Sequence, residues 1–333
     1  SVGTPLLMEY KEGIHMPDVV LRAEHVTKRF GGITALENAE LELYKGEVHA
    51  LVGANGAGKS TLIKIITGAY PKDEGDIYLE GQKIEIKSTF DARAQGISAV
   101  YQEFSLINTV SVAENIFMGK LLYNNLGPIP RADWKRMNEE TQKLLDSLGV
   151  TNIKPESIVG KLSVAQKQMV EIAKALSNDL KVLIMDEPTA SLSDNEIENM
   201  FKIIKDLRAK GISIIYVSHR LEELPIICDR ISVYRDGHYI KTMDIEDAPK
   251  QVIIENMVGK HMTQTEQVKC YTDEVLLEVR NFCFRKEISR ISILHCTKVK
   301  SLALPDCRCR KDRVCPCPVW SRSERLRTGI YRR

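Results

Sequence analysis

Residues 51–62 read LVGANGAGKSTL, and no other stretch of the chain limits its possible folds as tightly. An apolar run, GEVHALVG (46–53), leads into it, and KSTLIKIITGAY (59–70) leaves it with Leu62, Ile63 and Ile66 at helical spacing. A buried strand that opens a helix through a glycine-rich turn points its backbone N–H groups inward. They can surround phosphate oxygens there, with the helix N-terminus adding its positive end. Gly53, Asn55, Gly56 and Gly58 build the loop, and Lys59 is placed to reach the outer phosphates. The Ser60 hydroxyl is a candidate ligand for Mg2+, and Thr61 belongs to the same loop–helix junction. The competing reading is a turn that only joins strand to helix. Strand, loop and helix all being in place argues against it.

A phosphate cradle hydrolyses nothing without an acid to hold the metal and a base for the attacking water. KVLIMDEPTASLSDNE (181–196) supplies both: an apolar strand over Val182–Met185, then Asp186 for Mg2+ and Glu187 to orient or deprotonate water. Read alone, two adjacent carboxylates there could instead cap a helix. ISIIYVSHR (212–220) is a further apolar strand ending at His219, whose imidazole can hold the terminal phosphate. A single histidine at a strand end is more often structural, but its position after the Asp-Glu strand favours the functional reading. VYQEF (100–104) sets Gln102 at a strand end between the two motifs, where its amide can touch Mg2+ or the water.

In this order, the Lys59 loop, Gln102, LSVAQKQMVEIAKAL (162–176), Asp186-Glu187 and His219 resemble the ATP-binding cassette (ABC) ATPases over residues 18–262. Within that family, YQEFSLINTVSVAENIFMG, LSVAQKQMVEIAKALS and MVGK are similar to the ATPases of bacterial monosaccharide importers of the ribose, galactose and xylose type. The resemblance implies an α/β, P-loop nucleotide-binding domain with a small antiparallel β subdomain. A helical subdomain over about 104–176 would contact membrane permease subunits. It implies ATP and Mg2+ as cofactors and a site shared with a second ABC domain or a homodimer partner. It also implies a sugar-binding protein as an indirect partner, no nucleic acid, and a place on the cytoplasmic face of the bacterial membrane. Strands are expected at 20–26, 39–44, 47–53, 182–186, 213–217 and 231–234, and an amphipathic helix at 200–211 stopped by Gly211.

The signature segment carries Leu162, Ser163 and Gln166, with Ser163 facing the partner's terminal phosphate. Val164 and Ala165 replace the glycines of the usual LSGGQ. Ser193 stands where the loop after Asp186-Glu187 normally ends in Asp, which puts a cross-dimer hydrogen bond in doubt. Phe30, beside Ile33, matches the family's adenine-stacking aromatic; a plain core role is its alternative. Two rival readings remain: a cassette ATPase without a transport role, and an ATP-binding fragment without turnover.

Composition bears on the two ends. With 43% apolar and 28% charged residues, the 333-residue chain is ordinary for a globular protein. No apolar run approaches the ~18 residues of a membrane span. Residues 1–17 read as a flexible extension without a secretory pattern, and Met8 or Met16 is a candidate start. The net charge of +2 is uneven, since residues 285–333 carry +10 and the remainder −8. DEVLLEVRNFC (273–283) resembles MPDVVLRAEHV (16–26) and reads as the start of a second ABC domain after a linker over 263–272. No second phosphate loop follows. Back-translated and read in neighbouring frames, the segment after it yields FKDINFTLHKGEVLGFAG and VGAGRTEFARALFG. Residues 285–333 are therefore read as an out-of-frame, disordered basic tail. Zinc held by Cys307, Cys309, Cys315 and Cys317, or a nucleic-acid-binding tail, are the readings set aside.

Overall fold

A computed structural model describes residues 18–124, 131–259, 271–283 and 290–299. Contacts divide the chain into two compact units, Ser1–Met262 and Thr263–Arg333. The expectations for 1–17 and for 300–333 lie outside the described residues.

The first unit begins with an antiparallel hairpin of β1 (Val19–Phe30) and β2 (Ile33–Tyr44). The phosphate-loop segment follows as β3 (Val48–Gly53) and α1 (Lys59–Ile66). Next come β4 (Glu74–Leu79), β5 (Gln82–Ile84), α2 (Thr89–Ala94) and β6 (Ile97–Val100). The middle of the chain is α3 (Val112–Ile116), a small hairpin of β7 (Tyr123–Asn124) and β8 (Arg131–Ala132), α4 (Trp134–Ser147) and α5 (Val164–Leu176). Then β9 (Val182–Asp186), α6 (Asp194–Ala209), β10 (Ser213–Val217), α7 (Leu224–Ile227), β11 (Arg230–Arg235), β12 (His238–Asp244) and α8 (Lys250–Val258) complete it.

Ten strands form one sheet in the order β5-β4-β1-β2-β12-β11-β3-β10-β9-β6. The run β11-β3-β10-β9-β6 is parallel and β5-β4-β1-β2 antiparallel. The two parts meet where His238 of β12 pairs with Glu37 of β2. Central strands covered on both faces read as continuous apolar runs, and VHALVG, VLIMD and SIIYV do so. Their alternation then splits the core. Val48, Ala50, Val52, Leu183, Met185, Ile214 and Tyr216 pack with the helices α3 to α6. Leu51, Val182, Ile184, Ile215 and Val217 pack with α1 and the antiparallel strands. This is the α/β architecture, with antiparallel and helical parts, that the resemblance implied.

Several boundaries differ from expectation. The first two strands run well beyond 20–26 and 39–44, because the hairpin continues through Gly31 and Gly32, both at positive φ. The helix expected over 59–70 stops at Ile66, where Thr67 turns its hydroxyl back to the Ile63 carbonyl (2.9 Å) and Gly68 takes φ 73°. The helix expected from 200 starts at Asp194, because Ser193 and Glu196 close a capping box. The β10 strand ends at Val217, two residues short of His219, and β6 ends two residues short of Gln102.

In the second unit, β13 (Tyr271–Cys283) pairs antiparallel with β14 (Arg290–Val299). β13 takes in the last two residues assigned to the linker. β14 lies within the segment read from the sequence as an out-of-frame tail.

Candidate functional site

Parallel strands end together, and ligands of such sheets bind beyond their carboxyl ends. Here β3 ends at Gly53 and β9 at Asp186, while Val217 pairs with both Leu51 and Asp186, and Val100 with Met185. Register alone therefore brings the glycine loop, Asp186-Glu187 and the segments leading to His219 and Gln102 to one edge.

The loop geometry depends on its glycines. A Cβ on Gly53 would stand 2.3 Å from the Tyr234 carbonyl oxygen, so β3 can approach β11 only without one. Gly56 and Gly58 take φ 83° and 94°, and Gly58 occupies the N-cap of α1. Asn55, Gly56 and Ser60 are exposed, and Thr61 is half-buried. The Lys59 ammonium donates to the carbonyls of Gly53 (2.8 Å) and Ala54 (3.1 Å). Burial lowers its pKa, and the charges of Asp186 and Glu187 work against that shift.

Asp186 answers Lys59. Burial raises its carboxyl pKa, the Glu187 charge adds to the rise, and Lys59 and Lys64 oppose it. Glu187 holds φ 51°, a left-handed backbone unusual for a non-glycine residue, fixed by its N–H donating to the Val217 carbonyl (2.9 Å). That turn aims the side chain at the end of β10. His219 Nδ1 lies 3.3 Å from Glu187 Oε1, with the histidine side chain 62% and the glutamate 28% exposed. A carboxylate and an imidazole are thus paired beside a second carboxylate, all three open to small molecules. Gln102 is exposed in the bend beyond β6.

Among the described residues no group of three or more His, Cys, Asp or Glu is arranged to hold a metal ion. The donors at this edge are the Asp186 carboxylate, the Ser60 hydroxyl and the Gln102 amide. They suit a hard cation such as Mg2+, which takes few protein ligands and fills its shell from phosphate oxygens and water.

Phe30, at the end of β1, is 42% exposed, which rules out a buried core role. Its ring meets Tyr70 edge-on at 5.3 Å, leaving an aromatic surface on the antiparallel part. Leu162, Ser163 and Gln166 lie at the start of α5, in the helical part rather than on the Lys59 edge. Ser163 Oγ accepts from the Gln166 N–H (3.2 Å), and Gln166 Oε1 accepts from the Ser163 N–H (3.0 Å). Val164 and Ala165 are the first two helical residues, where ordinary helical backbone needs no glycine. At the start of α6, the Ser193 N–H (2.8 Å) and hydroxyl (2.7 Å) both donate to Glu196 Oε2.

Among the buried glutamates, Glu171 and Glu223 hold segments of this edge and escaped the sequence reading. Glu171 on α5 accepts from the Ser105 N–H (2.6 Å) and hydroxyl (2.9 Å), fixing the segment after Gln102. Glu223 lies four residues past His219 in SHRLEEL. Glu171 bonds to Ser105, 66 positions away, and Glu223 to Thr189, 34 positions away, and no spacing rule marks either link.

A family model described as "ABC transporter" matches residues 36–190. A putative ribose/galactose/methyl galactoside import ATP-binding protein of Burkholderia cenocepacia (strain HI2424) is 47% identical over 264 residues, 79% of this chain and 50% of that protein. A ribose import ATP-binding protein of Clostridium tetani (strain Massachusetts / E88) is 42% identical over 273 residues, 82% of this chain and 54% of that protein. The chain thus spans about half the length of these relatives. Among solved structures, an ATP-binding cassette of an ABC transporter in its ADP conformation superposes with a TM-score of 0.63 at 30% identity. That match covers 73% of this chain and 99% of the other. A nucleotide-free cassette gives 0.62 at 29% identity, covering 73% and 96%.

Proposed function

Because the chain belongs to the ATP-binding cassette family of ABC transporters, we propose that residues 18–262 are a Mg-ATP-driven motor for import of a monosaccharide of the ribose or galactose type. The pairing of Glu187 with His219 at 3.3 Å, beside Asp186, carries this reading. It offers candidates for a general base and a phosphate-holding imidazole at the edge where the Lys59 loop opens. Identities of 42–47% to sugar-import ATP-binding proteins support the cargo class.

Each residue then has a task. The loop N–H groups and Lys59 hold the phosphates, and the Phe30 ring packs on the base. Asp186, Ser60 and Gln102 would hold Mg2+, which when bound would supply charge neutralisation at the transferred phosphoryl group. Glu187 takes a proton from the attacking water, and His219 holds the terminal phosphate in line. Ser163, with Leu162 and Gln166 shaping the segment, reaches the nucleotide of a second cassette, whether another ABC domain or a second copy of this chain. Closure of the pair moves the permease subunits at the cytoplasmic face of the membrane, and a sugar-binding protein delivers cargo from the other side.

Glu187→Gln tests this. In complex with a complete partner cassette it should keep ATP binding and lose on the order of 10²–10⁴-fold in turnover, the usual worth of a positioned base. Parental turnover would refute the role given to Glu187.

A further inference from the structure

Glu223 is a carboxylate that the proposed chemistry does not use. It is only 6% exposed. A buried charge persists only where donors surround it, and this one has several. Thr189 Oγ1 donates to both its oxygens (2.8 and 2.9 Å), the Tyr216 hydroxyl donates at 2.8 Å and the Ser218 hydroxyl at 3.1 Å. Arg220 adds an ion pair at 3.5 Å. Burial and the adjacent carboxylate push the Tyr216 phenol up, so it remains a donor throughout the physiological range.

The origin of these donors gives them meaning. Thr189 lies two residues after Glu187, Ser218 immediately before His219, and Tyr216 on the strand between the two loops. We propose that Glu223 is a positioning residue, whose carboxylate ties the Glu187 loop to the His219 loop and so sets the spacing of base and imidazole. Charge-assisted bonds to one acceptor are stronger than hydroxyl–hydroxyl contacts. A single anion bonded from both loops makes them move together. The assignment rests on the ATPase reading above, and its test separates the two.

The full-length chain is assayed as wild type, Glu223→Ala and Glu223→Gln, at saturating Mg-ATP and high protein concentration. Affinity for a fluorescent ATP analogue and amide hydrogen exchange over 187–193 and 217–221 are measured in parallel. Glu223→Ala should lower kcat by on the order of 100-fold, the effect of about 1 Å of misplacement. Nucleotide affinity should hold, because the Lys59 loop is untouched, and both loops should exchange faster together. Glu223→Gln keeps the volume and one carbonyl acceptor toward which the hydroxyls can turn. It should recover part of kcat and of the protection, and it carries the test if the alanine variant does not fold. Unchanged kcat, parallel loss of affinity and kcat, or loosening of one loop alone would overturn the proposal. If the wild type itself does not hydrolyse ATP, the ATPase reading falls. The paired exchange then decides the tether by itself.

Discussion

Gly53 and Gly56 sit three residues apart in the phosphate loop, yet the structure assigns them different reasons for lacking a side chain. At Gly53 an alanine Cβ would stand 2.3 Å from the Tyr234 carbonyl oxygen and 2.9 Å from the Ala57 Cβ. Ordinary contacts need ~3.5 Å, so the clash is about 1 Å deep. The obstacle is backbone: Tyr234 is the ladder partner of Gly53 in the β3–β11 pairing, and neither can yield without disturbing that rung. Overpacking of this kind costs about 1–3 kcal/mol, and a rigid obstacle puts it near 3. At Gly56 a Cβ meets nothing within 4 Å, and only the φ of 83° resists it. A left-handed alanine costs about 1–2 kcal/mol. Its lower entropy in the unfolded chain returns about 0.4–1. The same return applies at Gly53, so Gly56→Ala should lose about 1 kcal/mol and Gly53→Ala about 2.5. At ~2–4 °C per kcal/mol for a domain of this size, their melting temperatures should differ by about 3–6 °C. Thermal melts of both variants without nucleotide measure this. Equal losses, or a neutral Gly53→Ala, would refute the close approach of β3 to β11.

Three further outcomes follow from the geometry. Glu187→Gly removes a left-handed non-glycine and a like-charged neighbour of Asp186, at the cost of one half-exposed pair worth ~0–1 kcal/mol. It should melt at or slightly above the wild type while losing turnover, and a melt several degrees lower would contradict the strain. Lys120, bonded to the Ser177 carbonyl (2.7 Å) and Asn178 Oδ1 (3.0 Å), has its pKa lowered to about 8 by burial first and by Arg93 and Lys174 second. Between about 8 and its ordinary 10.5 the folded chain has released a proton that the unfolded chain keeps. Stability relative to Lys120→Met should therefore rise with pH across that window, which urea midpoints at its two ends will test. Finally, Lys59→Ala and Ser163→Ala chains, each inactive alone, should regain ATPase activity when mixed, since a mixed pair keeps one intact site. Failure to complement would count against a site shared between two cassettes.

What the sequence disclosed was contiguous chemistry. The glycine loop, Asp186-Glu187 and His219 each sit within a few residues of an apolar run, so strand and functional group are read together. Gln102 was read the same way from VYQEF, and the resemblance extended this to Ser163 and Phe30. Elements stabilised from a distance were less visible. The extent of β1 and β2 depends on antiparallel pairing with each other and with β4, and the short strands β4, β5 and β12 carry no apolar run of their own. The strand β14 was not legible, because RISILHCTKV keeps neither a strand nor a helical period. Glu223 was out of reach as a tether, because its bond to Thr189 spans 34 positions, and Ser218 and Arg220 within SHRLEEL do not by themselves point to the Glu187 loop. The serine caps were readable from the Ser-x-x-Gln and Ser-x-x-Glu spacings at Ser163 and Ser193, had the signature segment not drawn attention to transport instead.

The cap at Ser163 has one more consequence, visible in a proton inventory. A serine hydroxyl carries two lone pairs and a single hydrogen. Starting α5 uses a lone pair, because Oγ accepts from the Gln166 N–H, and Gln166 secures the arrangement from the other side. The hydrogen is left uncommitted by that cap, on an oxygen already anchored at an exposed helix start. Helix stability alone does not require serine here, since aspartate begins helices equally well and glycine nearly so. Neither has a side-chain hydrogen to offer an anion at neutral pH. Replacing Ser163 by Asp or Gly should leave α5 as stable as before while removing that hydrogen. Thr should preserve both. One hydroxyl thus starts a helix with one part of itself and, under the proposed function, would offer the other part to the nucleotide of a second molecule.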